Sequence, residues 1–313
     1  MARAFVFPGQ GSQSVGMGQR LAEASAVARE VFEEVDDALG QRLSRLMFEG
    51  PSEDLTLTAN AQPALMAVSV ALVRTLEREG GKRLADIASV VAGHSLGEYS
   101  ALASAGAIGL ADTARLLRRR GEAMQAAVPV GEGAMAALLG LDIPDVEAVV
   151  AAAAADGVVA IANDNTPGQV VVSGAVKAVE RAAELAKEKG ARRAIMLDVS
   201  APFHCPLLQP AAEAMREALA NIVLDEPSVP LIANVTARPT SDPEEIRALL
   251  VDQVTATVRW RESVLAMKAL DVDTLVEMGG GKVLTGMVRR IDRDLAGVAV
   301  EGPDDIETLL SKL

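Results

Sequence analysis

Apolar positions along this chain follow two periods, one typical of buried strands and one typical of amphipathic helices. Short apolar runs that end at glycine, proline or a turn predict buried strands at residues 3–7, 87–92, 229–233 and 274–277. Longer segments in which apolar residues recur every three or four positions predict helices at residues 18–39 and 62–78 and from about Glu98. Strands that alternate with helices in this way indicate an α/β fold.

The pattern changes between residues 129 and 199, where shorter segments follow one another closely. It predicts a strand, a helix, two strands joined by a turn at residues 163–168, a second helix and a last strand, at residues 134–140, 144–155, 158–162, 169–173, 175–189 and 194–199. The order β-α-β-β-α-β is the ferredoxin-like pattern. We therefore expect a small ferredoxin-like domain, residues 129–199, inserted into a large α/β catalytic domain formed by residues 1–128 and 200–313.

Composition narrows the classes of protein to which the chain can belong. Half of the 313 residues are apolar, so burial of a core is not limiting, and the formal net charge is −13. A chain this acidic disfavours nucleic acid and anionic membrane as general partners. No apolar run approaches the roughly 20 residues of a membrane-spanning helix, and the N-terminal apolar segment is too short for a signal peptide. We therefore expect a cytoplasmic protein.

Two glycine-containing segments resemble nucleotide-binding motifs but have the wrong spacing. Residues 9–11, Gly-Gln-Gly, follow a predicted strand, but Ser14 stands where the dinucleotide fingerprint has its third glycine. Gly281 and Lys282 suggest a phosphate-binding loop, but Val283 stands where serine or threonine is required. Since the chain also has only one cysteine and two histidines, we expect no metal site and no bound cofactor.

The strongest candidate for chemistry is the segment Gly-His-Ser-Leu-Gly at residues 93–97. It fits the Gly-x-Ser-x-Gly nucleophile elbow, in which a sharp turn between a strand and a helix exposes a serine, here Ser95. The N-terminus of the following helix supplies unpaired N–H groups for a developing oxyanion. Such a motif also arises by chance in a glycine-rich chain, but the predicted strand and helix on either side favour the elbow.

A serine hydroxyl needs a base at neutral pH, and the chain has two histidines that can supply one. His94 neighbours Ser95 in the sequence, and because adjacent side chains on a tight elbow usually diverge, we expect it to pack beneath the turn. His204 follows a predicted strand in a loop, and by elimination it is the expected base. Cys205, a rival nucleophile, lacks an elbow and is expected to be a small buried apolar residue.

Three segments together resemble the malonyl-CoA:acyl carrier protein transacylases, and the acyltransferase domains of fatty acid and polyketide synthases are similar. They are Phe-Pro-Gly-Gln-Gly-Ser-Gln at residues 7–13, Gly-His-Ser-Leu-Gly-Glu-Tyr at residues 93–99 and Ala-Pro-Phe-His at residues 201–204. The resemblance extends over essentially the whole chain. It implies an α/β-hydrolase-like large domain with a short parallel sheet, into which the ferredoxin-like domain is inserted.

The resemblance implies a role for each matching residue of the acyl-transfer site. Ser95 would be the nucleophile and His204 its base. Gln253 would orient His204 through a carbonyl acceptor, in place of the acidic third member of a hydrolase triad. The backbone N–H groups of Gln10 and Leu96 would form the oxyanion hole.

The resemblance further implies that Arg120 binds the malonyl carboxylate. Arg118 and Arg119 precede it, but successive positions on a helix do not share a face, so these two are expected to point elsewhere as part of a solvated basic run. Asn163 and Asn165 match the family's Asn-x-Asn-x-Pro-Gly-Gln segment near the cleft. They are candidates for substrate binding, and their alternative role is that of plain turn formers.

The resemblance also implies the substrates. The malonyl group would move from malonyl-CoA to the phosphopantetheine thiol of a holo acyl carrier protein, with ping-pong kinetics and no cofactor, since the coenzyme A thioester is itself a substrate. Phe203 and Leu96 resemble the residues of malonyl-selective family members. Fatty acid synthesis is the expected pathway and a polyketide pathway is the alternative. We expect a monomer, which suits a protein that visits a mobile carrier.

An acidic carrier protein requires a local basic patch on so acidic a chain. Two groups of basic residues are candidates, namely Lys187, Lys189, Arg192 and Arg193 in the small domain, and Arg289 with Arg290. Either group is also compatible with an ordinary solvated surface.

Two other functions compete with acyl transfer. A serine hydrolase of the α/β-hydrolase type has its histidine near the C-terminus, whereas more than 100 residues follow His204 here. A non-catalytic scaffolding relative is expected to have lost Ser95, His204 or Arg120, and all three are present.

Overall fold

The computed structural model of the protein describes residues 2–313. Its strands are β1 (Ala2–Phe7), β2 (Val90–Gly93), β3 (Gly133–Leu139), β4 (Val159–Thr166), β5 (Gln169–Ala175), β6 (Arg193–Met196), β7 (Leu231–Ile232), β8 (Pro239–Thr240), β9 (Val272–Met278) and β10 (Ala296–Val300). Its α-helices are α1 (Gln19–Ala24), α2 (Ala26–Leu39), α3 (Leu43–Glu49), α4 (Ser52–Thr56), α5 (Thr58–Arg78), α6 (Leu84–Ile87), α7 (Gly97–Ser104), α8 (Leu110–Ala126), α9 (Ile143–Ala153), α10 (Val176–Glu188), α11 (Gln209–Ala220), α12 (Pro243–Asp252), α13 (Trp260–Ala269), α14 (Val283–Ile291) and α15 (Pro303–Leu310). Within residues 2–313, none of the helices is both long enough and apolar enough to cross a membrane.

The larger sheet contains six strands in the order β10-β9-β1-β2-β7-β8. The first five are parallel to their neighbours, and the two-residue β8 runs antiparallel to β7. Successive residues of β1 face opposite sides of the sheet. Phe5 and Phe7 join the core that includes α2, α5 and α8, whereas Ala4 and Val6 join a second core with Trp260 of α13. Burial on both faces is the reason that the N-terminal strand is apolar at nearly every position.

The second sheet contains four strands in the order β4-β5-β3-β6, and every neighbouring pair is antiparallel. On one face, Ala136 and Leu138 of β3 pack in a core with α9 and α10. On the other face, Met135 joins the core of the larger sheet, so the two sheets share an apolar boundary. The predicted element order β-α-β-β-α-β is confirmed between β3 and β6.

The strand β4 is longer than the sequence predicted. Asn163 and Asn165, expected in a turn, lie on this strand, and the turn before β5 is reduced to Pro167 and Gly168. Pairing with β5 and an isolated parallel bridge between Asn163 and Val258 hold the extension. Asparagine favours turns through local hydrogen bonds, and here the long-range backbone bonds override that preference.

The helix predicted at residues 18–39 is two helices, α1 and α2, which meet at Ser25. The backbone of Ser25 is extended, and its Oγ accepts a hydrogen bond from the N–H of Ala28 at 3.0 Å. This is an N-cap, which starts a new helix. The apolar periodicity continues across the cap, so periodicity alone did not reveal the break.

Candidate active site

Ser95 lies on a sharp turn between the end of β2 and the start of α7, as the elbow motif predicted. Its backbone φ is 54°, in the left-handed region that non-glycine residues rarely adopt. The glycines on either side are required because other backbone atoms lie too close to leave room for a Cβ. A Cβ on Gly93 would lie 1.8 Å from the carbonyl carbon of Gly97, and a Cβ on Gly97 would lie 2.2 Å from the carbonyl oxygen of Phe7. The spacing of the motif therefore reflects the geometry of this turn.

His204 lies beside Ser95, although 109 positions separate them in the sequence. Its Nε2 is 2.8 Å from Oγ of Ser95, and its Nδ1 is 2.9 Å from the backbone carbonyl oxygen of Gln253. A carbonyl can only accept, so Nδ1 carries the proton and Nε2 is free to accept one from the serine hydroxyl. The three residues form the nucleophile, base and carbonyl arrangement that the resemblance implied.

The protonation state of His204 suits a base. Burial, together with the positive charge of Arg120, lowers the pKa of His204 to about 3. The imidazole is therefore neutral at pH 7, because protonation would place a second positive charge in the same buried site. Cys205, the rival nucleophile, is fully buried, and burial raises the pKa of its thiol, so it remains a protonated packing residue.

His94 points away from Ser95, as expected of neighbours on a tight turn. Its Nε2 is 2.9 Å from Oδ1 of Asn165, and its ring lies 5.8 Å from the ring of Trp260. The residue is only partly buried and lines the cleft in front of Ser95, so the expectation that it packs beneath the turn is wrong. At the cleft, the imidazole contacts Asn165, which lies on the long strand β4.

Arg120 projects from α8 into the same site and is almost completely buried. Its Nη2 donates to Oγ of Ser95 at 3.1 Å and to Oε1 of Gln253 at 2.8 Å, while its Nη1 donates to Oε1 of Gln62 at 2.9 Å. Its guanidinium carbon lies 5.6 Å from the centre of the Tyr99 ring. No ion pair within residues 2–313 includes Arg120. A guanidinium stays charged in proteins, so the site contains a buried cation without a carboxylate partner.

The two arginines that precede Arg120 point elsewhere, as their positions on the helix predicted. Arg118 donates to Oδ1 of Asn60 at 2.7 Å, and Arg119 lies 3.9 Å from the carboxylate of Glu217 on α11. Of the three arginines, Arg120 alone reaches the serine.

Gln10 and Leu96 line the cleft together with Ser95. No backbone hydrogen bond in the described part of the chain uses the N–H of Gln10 or of Leu96. Leu96 precedes the first residue of α7, where backbone N–H groups have no intrahelical partner. These two N–H groups are therefore free to bind an oxygen that develops negative charge next to the serine.

The cleft in front of Ser95 has a volume of about 240 Å³ and lies between the two sheets. The second sheet lines it with Met135 of β3 and Asn163 of β4, while Met124 of α8 and Phe203 of the loop before His204 also line it. Asn165 does not line it, because its side chain is engaged with His94. The cleft combines apolar side chains such as Met124 and Phe203 with polar ones, and Arg120 places a buried cation beside Ser95, which suits a small acyl group with a charged end.

Three residues of the site were not singled out from the sequence, namely Gln62, Glu98 and Asn234. Gln62 holds Arg120, as described above. Glu98 is buried behind the elbow, where its Oε2 accepts from Nε2 of Gln253 at 2.7 Å and from the backbone N–H of Asn234 at 3.2 Å. Burial raises the pKa of Glu98 to about 7. Glu98 stands inside the motif of residues 93–99 and was therefore within reach of sequence analysis, whereas Gln62 and Asn234 carry no local signal.

Comparison with known proteins shows the family of the chain. The family described as acyl transferase domain matches residues 4–301. Malonyl CoA-acyl carrier protein transacylase of Bacillus subtilis (strain 168) is 46% identical over 311 residues, which cover 99% of this chain and 96% of that protein. The crystal structure of acyl-carrier-protein-S-malonyltransferase from Bartonella henselae is 58% identical with a TM-score of 0.98, and the match covers 100% of this chain and 99% of that one. A structure of a type II polyketide synthase acyl-carrier protein in complex with its malonyl-transacylase contains a chain that is 42% identical, with a TM-score of 0.96 and full coverage of both chains.

Proposed function

Because the chain belongs to the acyl transferase domain family, we propose that it moves the malonyl group of malonyl-CoA to the phosphopantetheine thiol of a holo acyl carrier protein. One observation carries the proposal: Oγ of Ser95 is within hydrogen-bond distance of both the neutral base His204 and the buried cation Arg120. A nucleophile next to a base performs acyl transfer, and a cation beside it selects an acyl group with a negative charge.

In the first half of the reaction, Oγ of Ser95 attacks the thioester carbonyl of malonyl-CoA while Nε2 of His204 takes its proton. The carbonyl oxygen becomes an oxyanion and is stabilised by the N–H groups of Gln10 and Leu96; one such donor typically contributes roughly 3 kcal/mol. The C–S bond then breaks, coenzyme A leaves with the proton from His204, and a malonyl ester remains on Ser95.

In the second half, the carrier thiol attacks the ester carbonyl and His204 accepts the thiol proton. The same two N–H groups stabilise the second oxyanion. The ester C–O bond breaks, and His204 returns the proton to Oγ of Ser95. One thioester has replaced another, so the exchange needs no external energy source, and the covalent intermediate gives ping-pong kinetics.

Arg120 has the role of holding the malonyl carboxylate in this scheme. The carboxylate would take the place of neutral oxygens that now accept hydrogen bonds from the guanidinium, those of Gln62, Gln253 and Ser95. A charge-assisted, bidentate pair is stronger than those bonds. An acetyl group leaves the buried guanidinium without the carboxylate, and a site built for a polar partner rejects an analogue that lacks it by about 10⁴-fold.

Phe203 and Asn163 line the cleft and have complementary roles in substrate binding. Phe203 limits the space beside the acyl group, which favours malonyl over branched acyl groups. Asn163 offers an amide to the pantetheine arm from the second sheet. Asn165, retained as a substrate-binding candidate from the sequence, acts through His94, whose ring it holds at the cleft wall.

We further propose that the chain is organised as two domains. Residues 129–199 would form the small ferredoxin-like domain, and residues 1–128 and 200–313 the large, α/β-hydrolase-like one. The order β4-β5-β3-β6, in which the first strand of the segment lies between its third and fourth, and the two helices on one face support the ferredoxin-like description. The cleft between the sheets then lies at the domain boundary, where ligand sites are common.

The carrier would dock on basic side chains around the turn between β4 and β5. The backbone N–H of Gly140 donates to the carbonyl of Gly168 at 2.8 Å, and Arg192 packs against Gly140. On the other side of the turn, Nη1 of Arg290 donates to Oε1 of Gln169 at 2.8 Å. One member of each basic group, Arg192 and Arg290, is therefore tied to this turn, and together they would offer a patch to an acidic partner. The cytoplasm as the site of action, fatty acid synthesis as the pathway and the monomeric state stay predictions.

Intact-mass spectrometry with peptide mapping tests the proposed function. The protein is mixed with malonyl-CoA and, separately, with acetyl-CoA, and the Ser95→Ala variant is the control. We expect a malonyl adduct on Ser95 that acetyl-CoA does not produce and that holo acyl carrier protein discharges. Release of free malonate without transfer to the carrier would instead identify a hydrolase, and the absence of both adduct and turnover would contradict the catalytic assignment.

A further inference from the structure

Asn234 is completely buried and follows β7, the strand that pairs with β2. Its side-chain amide bridges the two peptide groups on either side of His94. Oδ1 accepts a hydrogen bond from the backbone N–H of Ser95 at 2.8 Å, and Nδ2 donates to the backbone carbonyl of Gly93 at 2.6 Å. One amide thus holds both ends of the turn that carries the nucleophile.

The turn needs such support because its backbone is unfavourable. Ser95 has a φ of 54°, which crowds its Cβ against the backbone, and such conformations persist only where surrounding structure imposes them. Within residues 2–313, the N–H of Ser95 makes no other hydrogen bond. The amide of Asn234 is therefore the polar contact that holds this peptide in the orientation that directs Oγ at His204.

Asn234 is itself held in place by the elements that carry the base. Its backbone N–H donates to Oε2 of Glu98 at 3.2 Å, and the same oxygen accepts from Nε2 of Gln253. Nε2 of Gln253 also lies 3.1 Å from the carbonyl oxygen of Ser95, and the carbonyl of Gln253 orients His204. The buried contacts therefore connect the backbone of the nucleophile to the backbone that positions the base.

We propose that Asn234 is a positioning residue for the nucleophile: its amide holds the peptides of Gly93 and Ser95 and thereby keeps Oγ of Ser95 in line with Nε2 of His204. Asn234 does not touch the reacting atoms and does not contact Arg120. Its Oδ1 lies 3.4 Å from Nε2 of Gln253, a longer contact than the 2.8 Å bond between Gln253 and Arg120. We therefore expect loss of Asn234 chiefly to lower the rate of attack by Ser95 and to leave Arg120 in place. This inference rests on the proposed function only in the experiment that measures malonyl transfer; the labelling and hydrogen-exchange experiments do not depend on it.

The first test measures the reactivity of Ser95 without malonyl-CoA. A fluorophosphonate is attacked by Oγ of Ser95, so that an O–P bond forms, fluoride leaves and His204 takes the hydroxyl proton. We expect Asn234→Ala to be labelled about 10²-fold more slowly than the wild type, since small misplacements of a reacting group cost about that much. The matched control is Asn221→Ala, which removes an exposed amide that donates to the carbonyl of Glu217 at the end of α11. Equal labelling rates for Asn234→Ala and the wild type would overturn the proposal.

The second test separates binding from reaction with the natural substrate. In single-turnover acylation by malonyl-CoA, Asn234→Ala should reduce the maximal rate by the same factor as the labelling rate and leave the half-saturating concentration unchanged. If the substitution instead disturbed the fold of the site in general, both the maximal rate and the half-saturating concentration would change. If the wild type is labelled on Ser95 but transfers no malonyl group, the proposed function fails while the labelling comparison still decides the role of Asn234.

A third measurement decides the question if Asn234→Ala does not fold. In the wild type, the N–H of Ser95 is bonded to Asn234, whereas that of Leu96 has no partner within residues 2–313. Residue-resolved hydrogen exchange should therefore be slower at Ser95 than at Leu96, and equally fast exchange would overturn the proposal. Asn234→Asp, which retains the accepting oxygen but not the donor to Gly93, should fall between the wild type and Asn234→Ala in labelling rate, and a wild-type rate would count against the proposal.

Discussion

The guanidinium of Arg120 donates a hydrogen bond to Oγ of Ser95 over 3.1 Å, so a buried cation touches the nucleophile itself. The same hydroxyl lies 2.8 Å from Nε2 of His204. The group that we propose to bind the malonyl carboxylate and the proposed base thus meet at one oxygen atom. Because the two groups come from different elements, substitution of Arg120 and substitution of His204 test the two proposed roles separately.

Replacement of Arg120 should change which acyl group is transferred. In Arg120→Ala, the buried cation is gone, and we expect the preference for malonyl-CoA over acetyl-CoA to fall by up to about 10⁴-fold. The measurement is kcat/KM for both thioesters with the same carrier protein. Arg118→Ala, which removes the neighbouring arginine that bonds to Asn60, is the control and should keep the preference. An unchanged preference in Arg120→Ala would show that another group reads the carboxylate.

The stability of the protein should depend on pH through His204. Its pKa is about 3 in the folded protein and near 6.5 in the unfolded chain, so only the unfolded chain binds a proton between these values. The contribution of His204 to the free energy of unfolding is therefore complete above pH 6.5 and falls by up to about 1.4 kcal/mol for each pH unit below it. Denaturant unfolding from pH 5 to 7.5 measures the free energy of unfolding of the wild type and of His204→Gln. The wild-type value minus the variant value should fall as the pH falls.

Glu98 should act on stability in the opposite direction. Its pKa is about 7 in the folded protein against an ordinary 4.5, so between these values the folded protein binds the extra proton. The contribution of Glu98 is therefore greatest at low pH and is lost as the pH rises to 7, by up to about 3 kcal/mol in total. The free energy of unfolding of Glu98→Gln relative to the wild type should rise over this range. A pH-independent difference would show that Glu98 is ionised throughout.

Because the backbone packs so closely at the elbow, a side chain at Gly97 should not be tolerated. Gly97→Ala places a Cβ 2.2 Å from the carbonyl oxygen of Phe7, so the turn has to open. We expect destabilisation of about 3 kcal/mol and loss of acylation at Ser95. Gly109→Ala is the matched control, because the backbone φ there is −61° and, apart from its neighbours in the chain, no atom of residues 2–313 lies within 4 Å of the new Cβ. Thermal unfolding and acylation, measured on both variants, check the prediction.

If the basic patch around the turn between β4 and β5 binds the carrier, its loss should weaken binding of the carrier and not of malonyl-CoA. Arg290→Glu should raise KM for holo acyl carrier protein, more at low salt than at high salt, and leave KM for malonyl-CoA unchanged. Arg45→Glu makes the same change of charge on an exposed residue of α3, and it should affect neither constant. Equal effects of Arg290→Glu on both substrates would exclude this docking site.

The sequence was sufficient to predict those features that depend on residues close together in the chain. The elbow around Ser95 is local: its glycines are dictated by atoms of the turn and of the adjacent β1. His204 was identified because the chain has only two histidines and one of them is next to the serine. The order of elements between β3 and β6 followed from periodicity, because each element buries one face.

Contacts between distant segments were beyond that reasoning. The strand β10 was not predicted, since it is half exposed and takes its place only by pairing with β9. Asn163 and Asn165 were assigned to a turn, and the bridge to Val258 placed them on β4. Periodicity measures burial within a segment and holds no information on which segment pairs with it.

The sequence by itself therefore predicted the class of fold, the candidate nucleophile and the candidate base, because these depend on local backbone geometry and on a short inventory of reactive side chains. Only the tertiary structure decided that Gln62 holds Arg120 and that Asn234 holds the elbow. It also decided that Glu98 lies buried behind the elbow, in contact with Asn234. The physical reason is that a buried hydrogen bond is specific only when both partners are fixed. Its partners come here from different strands and helices, and no local pattern joins them.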